Sequence, residues 1–313
     1  MTARDRRGGA ARAPQDTLRR HGISASKSLG QNFLVDRGVV VRIAECAGIG
    51  AGDLVIEIGA GTGVLTVEAA ERAARVVAIE IDRKLLPALG EAVAGKGNVS
   101  ILNEDALKTD FRALAGRSAA DADARRMGAA GVKIIGNLPY YITSAIIAKL
   151  LGEGAPAESM TFMMQSEVAD RICAEAGGKG CGAITALVRY HCEPRLMMRV
   201  PREAFRPVPK VDSAVVRLDV RKERAVSPAS EEIFFAAVRA GFGQRRKTLR
   251  NSLAGLAGMS KDEAAAALAA AGIDPSRRAE TLCLEEFAAV ADAVAGMARQ
   301  PFGLDGGIAA QSL

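Results

Sequence analysis

The chain reads as a doubly wound α/β sheet domain followed by a small all-α domain. Three observations carry this expectation. Residues 53–82 run as apolar strand, glycine-rich turn, amphipathic helix and second apolar strand ending on an acid. Further short apolar runs with turn signals follow at 98–102, 132–136, 160–165 and 211–218. From about Ser227 onward only helical periods remain.

Length and composition set the frame. At 313 residues the chain suits one large or two small domains. Its hydrophobic fraction of 49% fills real cores, but with 4% aromatics and no Trp those cores must be aliphatic. The net charge of +6 favours an anionic partner, nucleic acid first. Five scattered cysteines without a C-x-x-C, and His21 and His191 alone, give no metal-ligand cluster, so no metal is expected. Free thiols suit a reducing cytosol, and no apolar stretch reaches membrane-spanning length. The N-terminus lacks the apolar core of a secretory signal. A soluble, cytoplasmic, monomeric protein is expected.

Residues 1–20, rich in Arg, Gly and Ala without an apolar period, read as a disordered basic tail. In Lys27 to Asp36, Asp36 is placed to cap a helix striped by Val39, Val40, Ile43 and Ala47. Asn32, set between Leu29 and the pair Phe33–Leu34, needs a polar contact.

The glycine turn Gly59-Ala60-Gly61-Thr62-Gly63 lets the backbone approach a ligand, and Glu80 at the end of the next strand can accept two ribose hydroxyls. The dinucleotide pattern fails because Val64 occupies the place of its last glycine. Glu57, two residues before the turn, would repel a pyrophosphate and attract a ligand bearing an amino group and a sulfonium. E-x-G-x-G-x-G thus resembles the first motif of methyltransferases that use S-adenosylmethionine.

A helix broken early by Pro87 leads to the strand Asn98–Leu102, after which Asp105 is placed to accept from an adenine amine or to cap a turn. Residues 112–131 show no clear period and read as a surface insertion. The strand at 132–136 runs into Asn137-Leu138-Pro139-Tyr140-Tyr141. Here Asn137 offers an amide oxygen, the turn a carbonyl and Tyr140 a flat face. Such acceptors pull the delocalised lone pair of adenine N6 toward a nucleophilic shape, while the ring grips a flipped base.

A helix is expected over 142–151 and another beginning at the cap Ser166. Residues 187–192 and 193–200 read as further strands. Phe205, on the proline loop before the last strand, is either a second face for the base or packing. One continuous helix is expected to carry Phe235, Val238, Phe242, Leu249 and Leu253 on a stripe. Arg245, Arg246, Lys247 and Arg250 are expected on its basic side, against RNA phosphates. Helices at 260–271 and 284–294 follow, and the end from Gln300 reads as frayed.

Taken in order, KSLGQNFLVD, EIGAGTGVLT, VVAIEID, NEDAL, GNLPYYIT, FRPVPKVDSAVV, QRRKTLRNSL and IDPSRRAETLCLEEF resemble the bacterial small-subunit rRNA adenine dimethyltransferases, the KsgA/RsmA family, over residues 21 to 292. The resemblance implies a Rossmann-like methyltransferase domain at 21–222, a helical RNA-binding domain at 223–295 and a flexible tail at 296–313. It implies S-adenosyl-L-methionine held by Asn32, Leu34, Gly59, Gly61, Glu80, Asp105 and Asn137. The target adenine falls to Asn137, Leu138 and Tyr140, with Phe205 as a stacking partner. The implied partner is 16S rRNA in the small ribosomal subunit or its precursor, methylated four times on two neighbouring adenines. The macrolide-resistance 23S rRNA methyltransferases, and non-catalytic nucleic-acid-binding factors on the same scaffold, are the competing readings.

Overall fold

The computed structural model describes residues 17, 19–26, 29–120, 131–244 and 246–297. The expectations for the N-terminal tail through residue 16, Lys27, Ser28, 121–130, Arg245 and the end past 297 lie outside them.

The chain divides into two compact units, each drawn from separated stretches of sequence. One takes residues up to 142 with 156–165 and 197–217; the other takes 143–155, 166–196 and 218 onward.

In chain order the first elements are β1 (Phe33–Leu34), α1 (Arg37–Ala47), β2 (Leu54–Ile58), α2 (Val64–Ala70), β3 (Arg75–Ile79), α3 (Leu86–Ala92), β4 (Val99–Leu102), α4 (Phe111–Ala120) and β5 (Val132–Asn137). Then follow α5 (Thr143–Gly152), β6 (Ser159–Gln165), α6 (Ser166–Cys173), α7 (Ala183–His191), β7 (Cys192–Val200), β8 (Phe205–Arg206) and β9 (Ser213–Val220). The last four are α8 (Glu231–Gly243), α9 (Leu249–Ser252), α10 (Lys261–Ala270) and α11 (Leu284–Met297).

The main sheet has the order β4-β3-β2-β5-β6-β9-β7. Strands β4 through β6 pair in parallel. Consecutive strands therefore progress outward from β2 in one direction and from β5 in the other. The switch of direction between β2 and β5 opens a crevice at their carboxyl ends. These two strands approach closely: a Cβ on Gly136 would stand 2.5 Å from the Ile58 carbonyl oxygen.

Strands β2, β3 and β6 bury both faces, as parallel strands flanked by helices do. Val55, Ile135, Met163 and Val215 join Val39, Val40 and Ile43 of α1 and Leu65 and Ala69 of α2 in one core. Ala78 meets Leu89 and Val93 beside α3 in a smaller one. Asp36 caps α1, its carboxylate accepting from Val39 N at 3.2 Å.

A separate two-stranded ladder clasps the N-terminal segment. Antiparallel β1 and β8 pair Phe33 with Arg206 and Leu34 with Phe205, and Val35 N donates to the Ala204 carbonyl at 2.9 Å.

In the other unit, α8 packs on α11, and the rings of Phe242 and Phe287 lie 5.9 Å apart. Ser260 caps α10 in a reciprocal pair with Glu263.

Four local expectations are corrected. Residues 183–191 form helix α7, so 187–191 is not a strand and only Cys192, opening β7, is extended. The apolar run of α7 is buried nearly all round, which erases the period that separates helix from strand. The stretch read as an insertion begins with helix α4, whose Phe111, Leu114 and Ala115 are buried. Ser166 opens α6 but does not cap it; its buried hydroxyl has no hydrogen-bond partner. The single long helix expected through Leu253 is two, because the chain leaves helical geometry at Gln244 and is extended at Thr248 before α9 starts.

Candidate active site

A cavity of about 220 Å³ occupies the crevice at the switch point. It gathers Asn32, Leu34, Gly59, Gly61, Glu80, Asp105, Asn137, Leu138 and Tyr140, residues that lie more than a hundred positions apart in the chain at the extremes.

The glycine turn forms the floor. Gly59, Gly61 and Gly63 all have positive φ, at 75°, 59° and 83°, a path an L side chain would strain. Glu80 closes the turn from the end of β3. It is 4% exposed, and its two carboxylate oxygens accept from Gly61 N at 2.7 Å and Asp82 N at 2.8 Å. Each oxygen keeps a lone pair for a further donor. Burial raises its pKa.

Glu57 lies deeper, on β2. It is 1% exposed, lines the cavity, and one of its carboxylate oxygens has no hydrogen-bond partner. Burial, reinforced by the nearby Glu80, pushes its pKa up to about 8. An unpartnered buried carboxylate is costly unless a ligand completes it.

The N-terminal segment lines the cavity through residues 29–34. Gln31 accepts from Ser26 N at 2.7 Å and donates to Asp82 at 2.8 Å, tying the segment to the end of β3. The Asn32 amide donates to the Gly30 carbonyl at 3.1 Å. The Asn32 backbone carbonyl in turn accepts from Asn137 Nδ2 at 3.1 Å. With its NH₂ committed there, Asn137 turns its amide oxygen elsewhere, and that oxygen has no partner among the described residues. The polar contact expected of the Asn32 amide is therefore made with the Gly30 carbonyl, and its backbone carbonyl makes a second one with Asn137.

Asp105 lines the cavity with one oxygen accepting from Leu107 N at 2.9 Å. It thus caps the turn and still presents its second oxygen. Leu138 is buried, its N–H donating to the Met163 carbonyl at 3.1 Å. The half-buried Tyr140 is pinned through its hydroxyl to Ser213 Oγ at 2.8 Å. Burial raises the pKa of that hydroxyl, so it stays neutral at ordinary pH.

Phe205 is the exception. It is fully buried, packs with Leu34, Val39 and Val215, and does not line the cavity. A ring enclosed on all sides offers no face to a base, so the stacking role is corrected to a core role in the ladder that holds Leu34.

Of the basic cluster, Arg246 and Lys247 are exposed in the connection between α8 and α9. Arg250, on α9, pairs with Asp262 at 2.7 Å and reaches the Lys261 carbonyl at 3.4 Å. Such exposed pairs are weak and exchange readily for another anion.

Several residues of the site escaped the sequence reading. Ile81, 50% exposed beside Glu80, offers the cavity an apolar face. Its signal was an apolar residue placed just beyond a strand that ends on an acid. Gln31 and Ser213 act through hydrogen bonds to distant residues and left no local signal.

These features fit an S-adenosylmethionine molecule. Its ribose has hydroxyls for Glu80, its adenine an apolar face in Ile81 and an acceptor in Asp105, and its positive charges a counterpart in the unpartnered Glu57 oxygen.

Among the described residues no helix is long and apolar enough to cross a membrane. A family model described as ribosomal RNA adenine dimethylase matches residues 22–295. The Ribosomal RNA small subunit methyltransferase A of Pelotomaculum thermopropionicum is 49% identical over 280 residues, covering 89% of this chain and 94% of the relative. That of Geobacillus thermodenitrificans is 45% identical over 283 residues, with 90% and 94% covered. Among solved structures, the 23S rRNA methyltransferase ErmE superposes with a TM-score of 0.61 at 30% identity, covering 84% of this chain and 100% of that one. A dimethyladenosine transferase from Plasmodium falciparum shares the fold with a TM-score of 0.66 at 24% identity, with 82% and 94% covered. With a matching family model along most of its length and a cavity built for this cofactor, the chain belongs to the ribosomal RNA adenine dimethylases, S-adenosylmethionine-dependent methyltransferases of ribosomal RNA.

Proposed function

We propose that the chain dimethylates N6 of two adjacent adenosines in a hairpin loop near the 3′ end of 16S rRNA. It acts in the cytoplasm, as a monomer, on the small subunit or its precursor, and so contributes to ribosome biogenesis. In this reading residues 21–222 form the methyltransferase domain and 223–295 a helical RNA-binding domain. The choice of the small subunit is supported by relatives of that name at 42–49% identity, against 30% for the 23S enzyme.

The observation that carries the chemistry is the oriented amide of Asn137. Adenine N6 is a poor nucleophile because its lone pair is shared with the ring. With Nδ2 held by the Asn32 carbonyl, the Asn137 oxygen is a fixed acceptor for one N6 hydrogen, and the Leu138 carbonyl serves the other. Both draw the nitrogen toward a tetrahedral shape with its lone pair localised. Tyr140, kept in place by Ser213, supplies the face that holds the flipped base.

S-adenosylmethionine, when bound, supplies an electrophilic methyl group on a sulfonium. Glu80 takes the ribose hydroxyls, Ile81 and Asp105 the adenine, and ionised Glu57 the positive charge. The rest is alignment, which needs neither a metal nor a strong base: as the N6–methyl bond forms, the methyl–sulfur bond would break, a neutral thioether would leave, and the proton made acidic on the positively charged N6 would pass to solvent. After one transfer N6 retains a hydrogen for one acceptor. After two it retains none, so the grip on the base weakens and the product leaves.

The test is to incubate the purified full chain and S-adenosylmethionine with unmodified small and large subunits and map the methylated adenines. Dimethylation of two adjacent adenosines in small-subunit RNA is expected. Methylation confined to large-subunit RNA would overturn the assignment.

A further inference from the structure

Tyr141 takes no part in the chemistry above, yet it lines the same cavity as Asn137, Pro139 and Tyr140. Tyr140 is half-buried and tethered by its hydroxyl. Tyr141 is 61% exposed, more than any other large hydrophobic side chain described, and its hydroxyl has no partner among the described residues. Nothing polar therefore accounts for its placement.

Its ring is nevertheless supported. It rests against the backbone at Gly30, where a Cβ would stand 3.2 Å from Tyr141 Cδ1 and 3.4 Å from Cε1. Gly30 also has φ of 57°, so both its backbone and its missing side chain suit the contact. The segment behind it is fixed by Gln31, which bonds both Ser26 and Asp82, and by the β1–β8 ladder. The result is an exposed aromatic ring with a rigid backing at the rim of the pocket.

We propose that Tyr141 is the stacking platform for the nucleobase next to the adenosine being methylated. Drawing one base into the pocket removes a stacking partner from its neighbour. A flat exposed ring one residue from the ring that grips the target replaces that partner, and a ring stacks on any base. When two adjacent adenosines are methylated in turn, the platform holds one while the other reacts. The occupant is a base of the RNA substrate, so this inference rests on the function proposed above.

The test uses the full chain with unmodified small subunits and three variants, Tyr141→Phe, Tyr141→Leu and Tyr141→Ala. Phe keeps the ring; Leu keeps apolar bulk against Gly30 without an aromatic face. Loss of one stacked base should raise KM for the subunits about 5- to 150-fold in the Leu and Ala variants. Their kcat and S-adenosylmethionine affinity should be unchanged, and Tyr141→Phe should match the parent. Melting temperatures should not move, since the side chain is mostly exposed. A Leu variant with the parent's KM would overturn the inference, as would a Phe variant as impaired as Ala. If the parent itself does not methylate small subunits, the proposed function fails instead.

Discussion

Replacing Glu57 by Gln separates the charge of the cofactor pocket from its shape. Burial holds the carboxyl near pH 8 when no cation is beside it. At pH 7 it is then protonated in about nine molecules of ten. If the ionised form meets the positive charge of S-adenosylmethionine, binding at pH 7 must expel most of a proton, and the release must fall away as pH rises through about 8. Affinity should rise about tenfold per pH unit below 8 and level off above it. Calorimetry in two buffers of different ionisation heat counts the protons directly. In Glu57→Gln the count should fall to near zero and the pH dependence should flatten. The sign for stability is the opposite. The folded pKa lies above the ordinary value of 4.5, so the contribution of this group is full below about 4.5 and is lost as pH rises through about 8. The full swing is on the order of 5 kcal/mol. Thermal melts of the unliganded protein should decline across that window and should decline less in Glu57→Gln. Binding without proton release, or a Gln variant with parental affinity at pH 8, would refute the reasoning.

Glu80→Gln should weaken S-adenosylmethionine binding by about 1.5–3 kcal/mol, since charge-assisted bonds to the ribose become neutral ones; calorimetry at constant pH measures it. Phe205→Leu should lower the melting temperature, at a cost of about 1–2 kcal/mol, while leaving KM for RNA unchanged, because the ring is core and not platform. Replacing Arg246 and Lys247 together by Gln should reduce the slope of RNA affinity against salt by about 0.7–0.9 for each phosphate no longer neutralised, with cofactor affinity unchanged.

The sheet and the cofactor end of the site were legible because their signals are local. Residues 53–82 announce strand, turn, helix and strand by a change of period at each boundary, and Glu80 sits where the second strand stops. Asn137 and Tyr140 follow a strand directly. What was hidden depends on residues distant in sequence. Phe205 lies on a short loop strand, and only its pairing with Leu34 shows that it faces the core. The run at 187–191 is apolar enough to suit strand or helix, and burial in the tertiary structure decides for helix. The stripe from Phe235 to Leu253 kept a helical spacing across a break that the non-helical geometry at Gln244 and the extended backbone at Thr248 create. The hydrogen bond from Asn137 to the Asn32 carbonyl spans 105 residues, and neither residue signals it alone.

Single-turnover methylation by Asn137 variants tests the central claim most directly. Asn137→Ala should slow methyl transfer to small-subunit RNA about 10²- to 10³-fold, the scale of losing one preorganised group that acts at the reacting centre. RNA affinity should stay near the parental value, because the amide acts on the amine and not on phosphates. A variant that transfers methyl groups at the parent's rate would contradict the account, because the acceptor fixed by the Asn32 carbonyl would then have no role in the reaction.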